Sequence, residues 1–216
     1  MEIYPSLISS DLLNLEKVVK SLQPYSDGFH IDVMDDHFVP NLTWGPSFVH
    51  AILKISEKSL CIHLMVDNPW IWIDRLKLRT IDSFVFHFEA ASNNTQIHDL
   101  IDDVKAKGFK VGIAINPETS VEKIFEFLEK INQVVIMSVK PGFSGQTFID
   151  NTLEKIEPLL SFRKEKKMSY ILSMDGGINQ ENLRIVKEKG IDRVSVASAI
   201  FSNDNPIEAL RKLKEF

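Results

Sequence analysis

GFHIDV (28–33), PSFVHAILKI (46–55) and LCIHLMV (60–66) decide how this chain is read. The first and third stretches are short apolar runs rich in β-branched and aromatic residues, which mark strands. The middle one has helical period and a proline suited to a first helical turn. A strand, a helix and a strand in succession make a βαβ unit, whose two strands run parallel.

The same alternation extends in both directions. Strands are expected at 3–8, 28–33, 60–66, 83–88, 110–115, 134–139, 170–174 and 193–196. Helices are expected at 11–22, 46–55, 69–78, 94–107, 120–130, 148–166, 180–189 and 206–214. Pro69 and Pro206 also suit first turns, and Gly108 and Gly190 each follow a lysine-containing last turn. Eight such units favour a parallel sheet, and a closed (β/α)8 TIM barrel is the simplest arrangement. The alternative is a doubly wound open sheet, which is weakened because Ser9, Ser10 and Asp11 stand where a glycine fingerprint would follow the first strand.

The chain has 216 residues, within the roughly 200 to 250 that an α/β barrel uses as one domain, so residues 1–216 are expected to form a single barrel domain. Apolar residues make up 44% and charged residues 25%, which excludes a disordered or fibrous chain. The net charge of −5 offers no basis for binding nucleic acid or an acidic membrane surface. The single cysteine, Cys61, has no internal disulfide partner. The start MEIYPSLISS lacks a basic leader and a long apolar run, and no stretch reaches the roughly 18 apolar residues of a membrane span. A cytoplasmic protein is expected.

In a barrel, side chains at the C-terminal strand ends face the mouth. The period of two in FHIDVMD puts His30, Asp32 and Met34 on one face of strand 2. CIHLM aligns His63 with Met65, MDGG puts Asp175 at the tip of strand 7, and Ser6 lies in strand 1. Neutral histidine and ionised aspartate are metal ligands, and His30, Asp32, His63 and Asp175 together suit one divalent ion: zinc, iron, manganese or cobalt. A lone histidine on a strand is more often structural. Four ionisable groups in one barrel mouth are costly unless paired or bound to a metal.

Asp32 and Asp175 also fit a second role. Their strands stand three positions apart in an eight-strand ring, so the carboxylates approach from nearly opposite sides. One can remove a proton from one face of a carbon while the other returns it to the opposite face. A metal bridging a carbonyl and an adjacent hydroxyl would stabilise the enediolate between the two transfers. Met34, Met65 and Met137 would line the reacting face, against the alternative of simple core filling. Turns of small residues at 141–145, 175–177 and 196–201 suit a phosphorylated substrate, and PGFSGQ suits a mobile lid.

YPSLISSD, FHIDVMDDHFVPNLTWGP, CIHLMVDNP, INPETSVE, MSVKPGFSGQTFI, MDGGIN and ASAIF, spread over residues 4–201, resemble the successive motifs of the ribulose-phosphate 3-epimerases. The resemblance implies a TIM barrel of the ribulose-phosphate-binding type that inverts carbon 3 of a phosphorylated ketose, interconverting D-ribulose 5-phosphate and D-xylulose 5-phosphate. It implies a divalent metal at His30, Asp32, His63 and Asp175, with Asp32 and Asp175 as the acid/base pair and Ser6 and His63 touching substrate. It places phosphate on backbone groups of Gly142, Phe143, Ser144, Gly145, Gly176, Gly177, Ala197 and Ser198, and it implies a homo-oligomer.

Four residues depart from the family pattern. Asp36 and Ala197 stand at usual glycines, Ser144 replaces a lid glycine, and Lys140 replaces an Asn, Asp or Glu. Some of these, with DLLNLEKV and INPETSVE, resemble the branch acting on D-allulose 6-phosphate, so its epimerisation to D-fructose 6-phosphate is the alternative. A Schiff-base aldolase using Lys140 competes but is disfavoured by strand parity, which turns Lys140 away from the mouth. A sugar-phosphate-binding protein without catalysis is disfavoured by the presence of all four ligands. A barrel decarboxylase or synthase is disfavoured because its Asp-x-Lys motif has no strand here: Asp103 and Lys105 fall in a predicted helix.

Overall fold

The strands of this protein carry apolar residues on the face that meets the helices, and those side chains are what place the sheet. In a computed structural model describing residues 1–216, Phe29, Ile31 and Val33 of the second strand are fully buried in a core of 47 residues between sheet and helices. The strands are β1 (Glu2–Pro5), β2 (Gly28–Met34), β3 (Ser59–Met65), β4 (Ser83–His87), β5 (Lys110–Ile115), β6 (Gln133–Met137), β7 (Ile171–Asp175) and β8 (Arg193–Val196). All ladders are parallel, in the order β1-β8-β7-β6-β5-β4-β3-β2. The two ends of that order meet: Ser6 forms a parallel bridge with His30, and the Asp27 N–H donates to Ile3 O at 3.3 Å. The ring is therefore a (β/α)8 barrel rather than an open doubly wound sheet.

Helices α1 (Leu15–Leu22), α2 (Pro46–Ile55), α3 (Trp70–Ile73), α4 (Asn94–Ala106), α5 (Ile156–Glu165), α6 (Leu183–Glu188), α7 (Ser198–Phe201) and α8 (Pro206–Lys214) surround it. Several expected helices are shorter or tighter, for local reasons. Residues 121–127 form a 3-10 helix whose three-residue repeat puts Val121, Ile124 and Phe127 on one buried face. The expected helix at 148–166 divides into a 3-10 stretch, Asp150–Lys155, and α5. Pro158 has no N–H to continue an earlier helical ladder and falls in the first turn of α5. Before α6, the Asn179 side chain accepts the N–H groups of Glu181 and Asn182, which delays the helix to Leu183. VASAIF, read as a turn, contains α7. No helix is long and apolar enough to cross a membrane.

The barrel interior forms a second, smaller core that includes Tyr4, Cys61, Val85, Val135 and Met137. Below it Arg193 lies 4.1 Å from the Tyr4 ring centroid, donates to Gln133 at 3.1 Å and pairs with Glu2 at 2.7 Å. Beneath β3 and β4, the fully buried Asp82 accepts the Leu60 N–H and three donors of Arg79, all within 2.9 Å. Arg79 in turn donates to Ser56 O and Lys58 O at 2.7 Å. Asp82→Ala leaves those donors without their acceptor, so it is expected to lower stability by about 3 kcal/mol. Urea unfolding, with an unchanged denaturant slope, measures this.

Candidate active site

Strand register sets the site. Asp32 pairs with His63 between β2 and β3, Asp175 pairs with Met137 and Ser195 on its two sides, and Ser6 bridges His30. The ends of β1, β2, β3, β7 and β8 thus present polar side chains toward one another. His30 Nε2 lies 3.0 Å from Asp32 Oδ1 and 3.4 Å from Asp175 Oδ2, and His63 Nδ1 lies 3.1 Å and 3.3 Å from the same two oxygens. The two ring nitrogens are 3.3 Å apart, and all four atoms fall within 4.8 Å of one another.

These spacings fit a tetrahedral ion. Ligands about 2.0–2.1 Å from a zinc-like centre stand roughly 3.3 Å from each other, close to five of the six separations here. The charges fit as well. Burial favours the protonated form of Asp32 and Asp175, but the adjacent imidazoles hold both carboxyls below their usual range. Burial opposes charge on the imidazoles, yet the carboxylates hold His30 well above its usual value and push His63 up to about 9. Two buried negative charges are thus balanced by two imidazole protons, and one divalent ion supplies the same charge while leaving both rings neutral.

The remaining ligand atoms are tied down. Ser6 donates to Asp32 Oδ2 at 2.7 Å, and Ser195 Oγ meets His30 Nδ1 at 2.9 Å. His63 Nε2 meets His87 Nε2 at 2.8 Å. Ser138 fixes the Asp175 backbone: its N–H and hydroxyl both donate to Asp175 O, and the hydroxyl also lies 2.6 Å from Gly176 O. Cys61 is buried one register step below His63, as expected from strand parity.

A cleft opens over the cluster. Ser6, Asp32 and Asp175 form its polar floor, and Met34, Met65 and Met137 line it as apolar wall. Residues expected to meet phosphate through their backbone, Gly142, Phe143, Ser144, Gly145, Gly176, Gly177, Ala197 and Ser198, line it as well. His63 and His30 are not in the cavity wall. His63, expected to touch substrate, is fully buried because its outer edge is turned to His87.

Backbone angles show how two departures from the family pattern are accommodated. Asp36 has φ 61°, the left-handed geometry that aspartate tolerates better than most residues, so it replaces glycine at modest cost. Ala197 has φ −106°, which requires no glycine. Gly177, by contrast, has φ 64°, and a Cβ there would come within 2.7 Å of the Phe148 backbone. The loop at 142–145 is tied to the strand-1 and strand-2 loops: Ser144 Oγ meets Ser9 Oγ at 2.7 Å, and Asn41 donates to Gly142 O at 2.7 Å. Lys140 is exposed beside the lid rather than in the cavity wall.

Sequence reasoning missed His87, Glu89, Ser195 and Ser138. His87 had a usable signal, because Ser83, Val85 and His87 share the inward parity of His30 and His63. In SFVFHF it sits among apolar residues, with no second polar group beside it to mark a site.

The profile described as the Ribulose-phosphate 3 epimerase family matches residues 2–201. The Ribulose-phosphate 3-epimerase of Helicobacter pylori (strain J99 / ATCC 700824) is 35% identical over 218 residues, spanning 100% of this chain and 99% of that protein. The Ribulose-phosphate 3-epimerase, cytoplasmic isoform, of Oryza sativa subsp. japonica is 35% identical, spanning 99% and 94%. Among solved structures, KGPDC from Streptococcus mutans in complex with D-R5P superimposes with a TM-score of 0.74 at 14% identity, covering 99% of this chain and 95% of that one, a likeness of fold alone. A profile match across nearly the whole barrel, together with relatives of this identity over their full length, means that the chain belongs to the ribulose-phosphate 3-epimerase family.

Proposed function

We propose that this carbohydrate epimerase inverts carbon 3 of D-ribulose 5-phosphate to give D-xylulose 5-phosphate, with Asp32 and Asp175 as the two proton-transfer groups. The observation that carries the reading is the pair of carboxylates facing one cavity from β2 and β7, each backed by an imidazole. His30, Asp32, His63 and Asp175 hold the divalent ion, and the donor set suits zinc, iron, manganese or cobalt. When bound, the ion supplies positive charge that stabilises the oxyanions of the enediolate.

The chain's own groups do the rest. One aspartate removes the carbon 3 proton while the other, carrying a proton, delivers it to the opposite face, so each turnover leaves the two carboxyls in exchanged proton states. Ser6 keeps Asp32 in line by donating to Oδ2 and faces the substrate beside it. Met34, Met65 and Met137 exclude water from the reacting carbon. Backbone N–H groups at 142–145, 176–177 and 197–198 receive the phosphate, and the lid from Gly142 to Gly145 covers it. Residues 1–216 act as one catalytic domain, a reading supported by the single ring of strands. The rice relative named a cytoplasmic isoform supports a cytoplasmic location. Assembly as a homo-oligomer belongs to the same proposal, because Leu13 and Leu42, 96% and 71% exposed, offer apolar surface for a second copy to cover.

Asp32→Asn and Asp175→Asn should each lower kcat/KM by about 10²–10⁴-fold while leaving the unfolding transition in place, with at most one epimer still exchanging its carbon 3 proton with deuterated solvent. Full activity in either variant contradicts the two-base assignment. Chelation should abolish turnover and added Co2+ or Mn2+ restore it. Because ion binding displaces imidazole protons, its apparent affinity should rise with pH by about tenfold or more per unit through neutrality. The rise should slacken above about 9, where His63 no longer holds its proton. Isothermal titration at several pH values reads this. Comparing kcat/KM for D-ribulose 5-phosphate and D-allulose 6-phosphate decides the substrate: a higher value for the pentose is expected, and a higher value for the hexose would select the alternative.

A further inference from the structure

The cluster at the mouth ends on the outer edge of the His63 ring, and a line of buried polar groups continues from there. His63 Nε2 lies 2.8 Å from His87 Nε2. His87 Nδ1 lies 3.3 Å from Glu89 Oε2. Glu89 Oε1 accepts the Asn116 N–H at 2.9 Å and the Thr119 hydroxyl. Lys155 closes the line by donating to Asn116 O and Thr119 O. Both histidine side chains are fully buried, and the Phe38 ring packs against His87 with centroids 4.8 Å apart.

Hydrogen-bond direction along this line is constrained. An ionised carboxylate only accepts, so His87 Nδ1 carries the proton that faces Glu89. Two ring nitrogens 2.8 Å apart share one proton between them, and a neutral His87 with hydrogen on Nδ1 offers a bare Nε2. The His63 Nε2–H therefore donates, and the His63 Nδ1 lone pair is the one left to face Asp32 and Asp175. We infer that His87 and Glu89 are positioning residues that select the His63 tautomer able to ligate the divalent ion and hold its ring in the plane of the site. The inference rests on the metal reading above and extends it to two residues that touch neither ion nor substrate. An imidazole ligand whose far nitrogen donates to a fixed acceptor is both oriented and more basic, and loss of such a partner typically costs about 10–100-fold in metal affinity.

The relay starts from β3 and passes through β4, the turn Phe88–Ala90, the loop after β5 and the stretch Asp150–Lys155. Neither His30 nor the aspartates have such a chain behind them: His30 meets a serine and Asp32 another.

The test measures Co2+ affinity of the full chain by competition with a chelator. His87→Leu, which keeps volume but removes donor and acceptor, should bind Co2+ about 10–100-fold more weakly than the unmodified protein. His87→Gln, whose amide can accept from His63 and donate to Glu89, should recover most of that loss. A His87→Leu protein that binds Co2+ as tightly as the unmodified one overturns the relay while leaving the four-ligand site standing. An unmodified protein that takes up no Co2+ overturns the metal reading and the relay with it. Nitrogen-15 spectra of the histidine rings give a readout that mere packing would not move: His87 protonated on Nδ1 and bare on Nε2 supports the relay, and the reverse tautomer overturns it even if His87→Leu does not fold.

Discussion

Two carboxylates buried against two imidazoles, at 3.0 to 3.4 Å, are what the rest of this barrel is arranged around. Moving an ionised carboxylate out of water costs several kcal/mol, and two within 4.8 Å of each other cost more, so the cluster persists only with compensating positive charge and fixed geometry. The register of three strands, adjacent β2 and β3 with β7 across the barrel, supplies the geometry. Ser6, Ser195 and His87 meet the outward atoms of Asp32, His30 and His63, and Ser138 holds the Asp175 backbone.

Much of this was legible because strand parity is a hard constraint. In β2 every side chain is buried, so outward Phe29, Ile31 and Val33 and inward His30, Asp32 and Met34 separate cleanly by the period of two. The ring itself was legible from eight alternating units, and the closure between β1 and β2 is the one bond the alternation alone left open. Helix boundaries were harder, because they depend on local competition. The side-chain turn at Asn179, the proline at 158 and the three-residue repeat at 121–127 all override helical propensity. His87 was missed for a different reason: a histidine within an apolar run gives no sign of its role until the side chain it meets is known, and His63, on β3, is distant in sequence.

Departures from the family pattern fall at the rim rather than the floor. Asp36 takes the left-handed backbone angle that glycine would supply, and Ala197 needs none. Ser144 gives the lid a hydroxyl contact to Ser9 that a glycine could not make. Lys140 adds positive charge near the lid in a chain of net charge −5.

X-ray absorption of the protein loaded with a single equivalent of Zn2+ addresses the arrangement most directly. Four side chains meeting at one ion predict an inner shell of nitrogen and oxygen only, at about 2.0–2.2 Å, with the multiple-scattering signature of two imidazoles. A sulfur scatterer near 2.3 Å, which would place Cys61 on the ion, or a shell without imidazole, would contradict it.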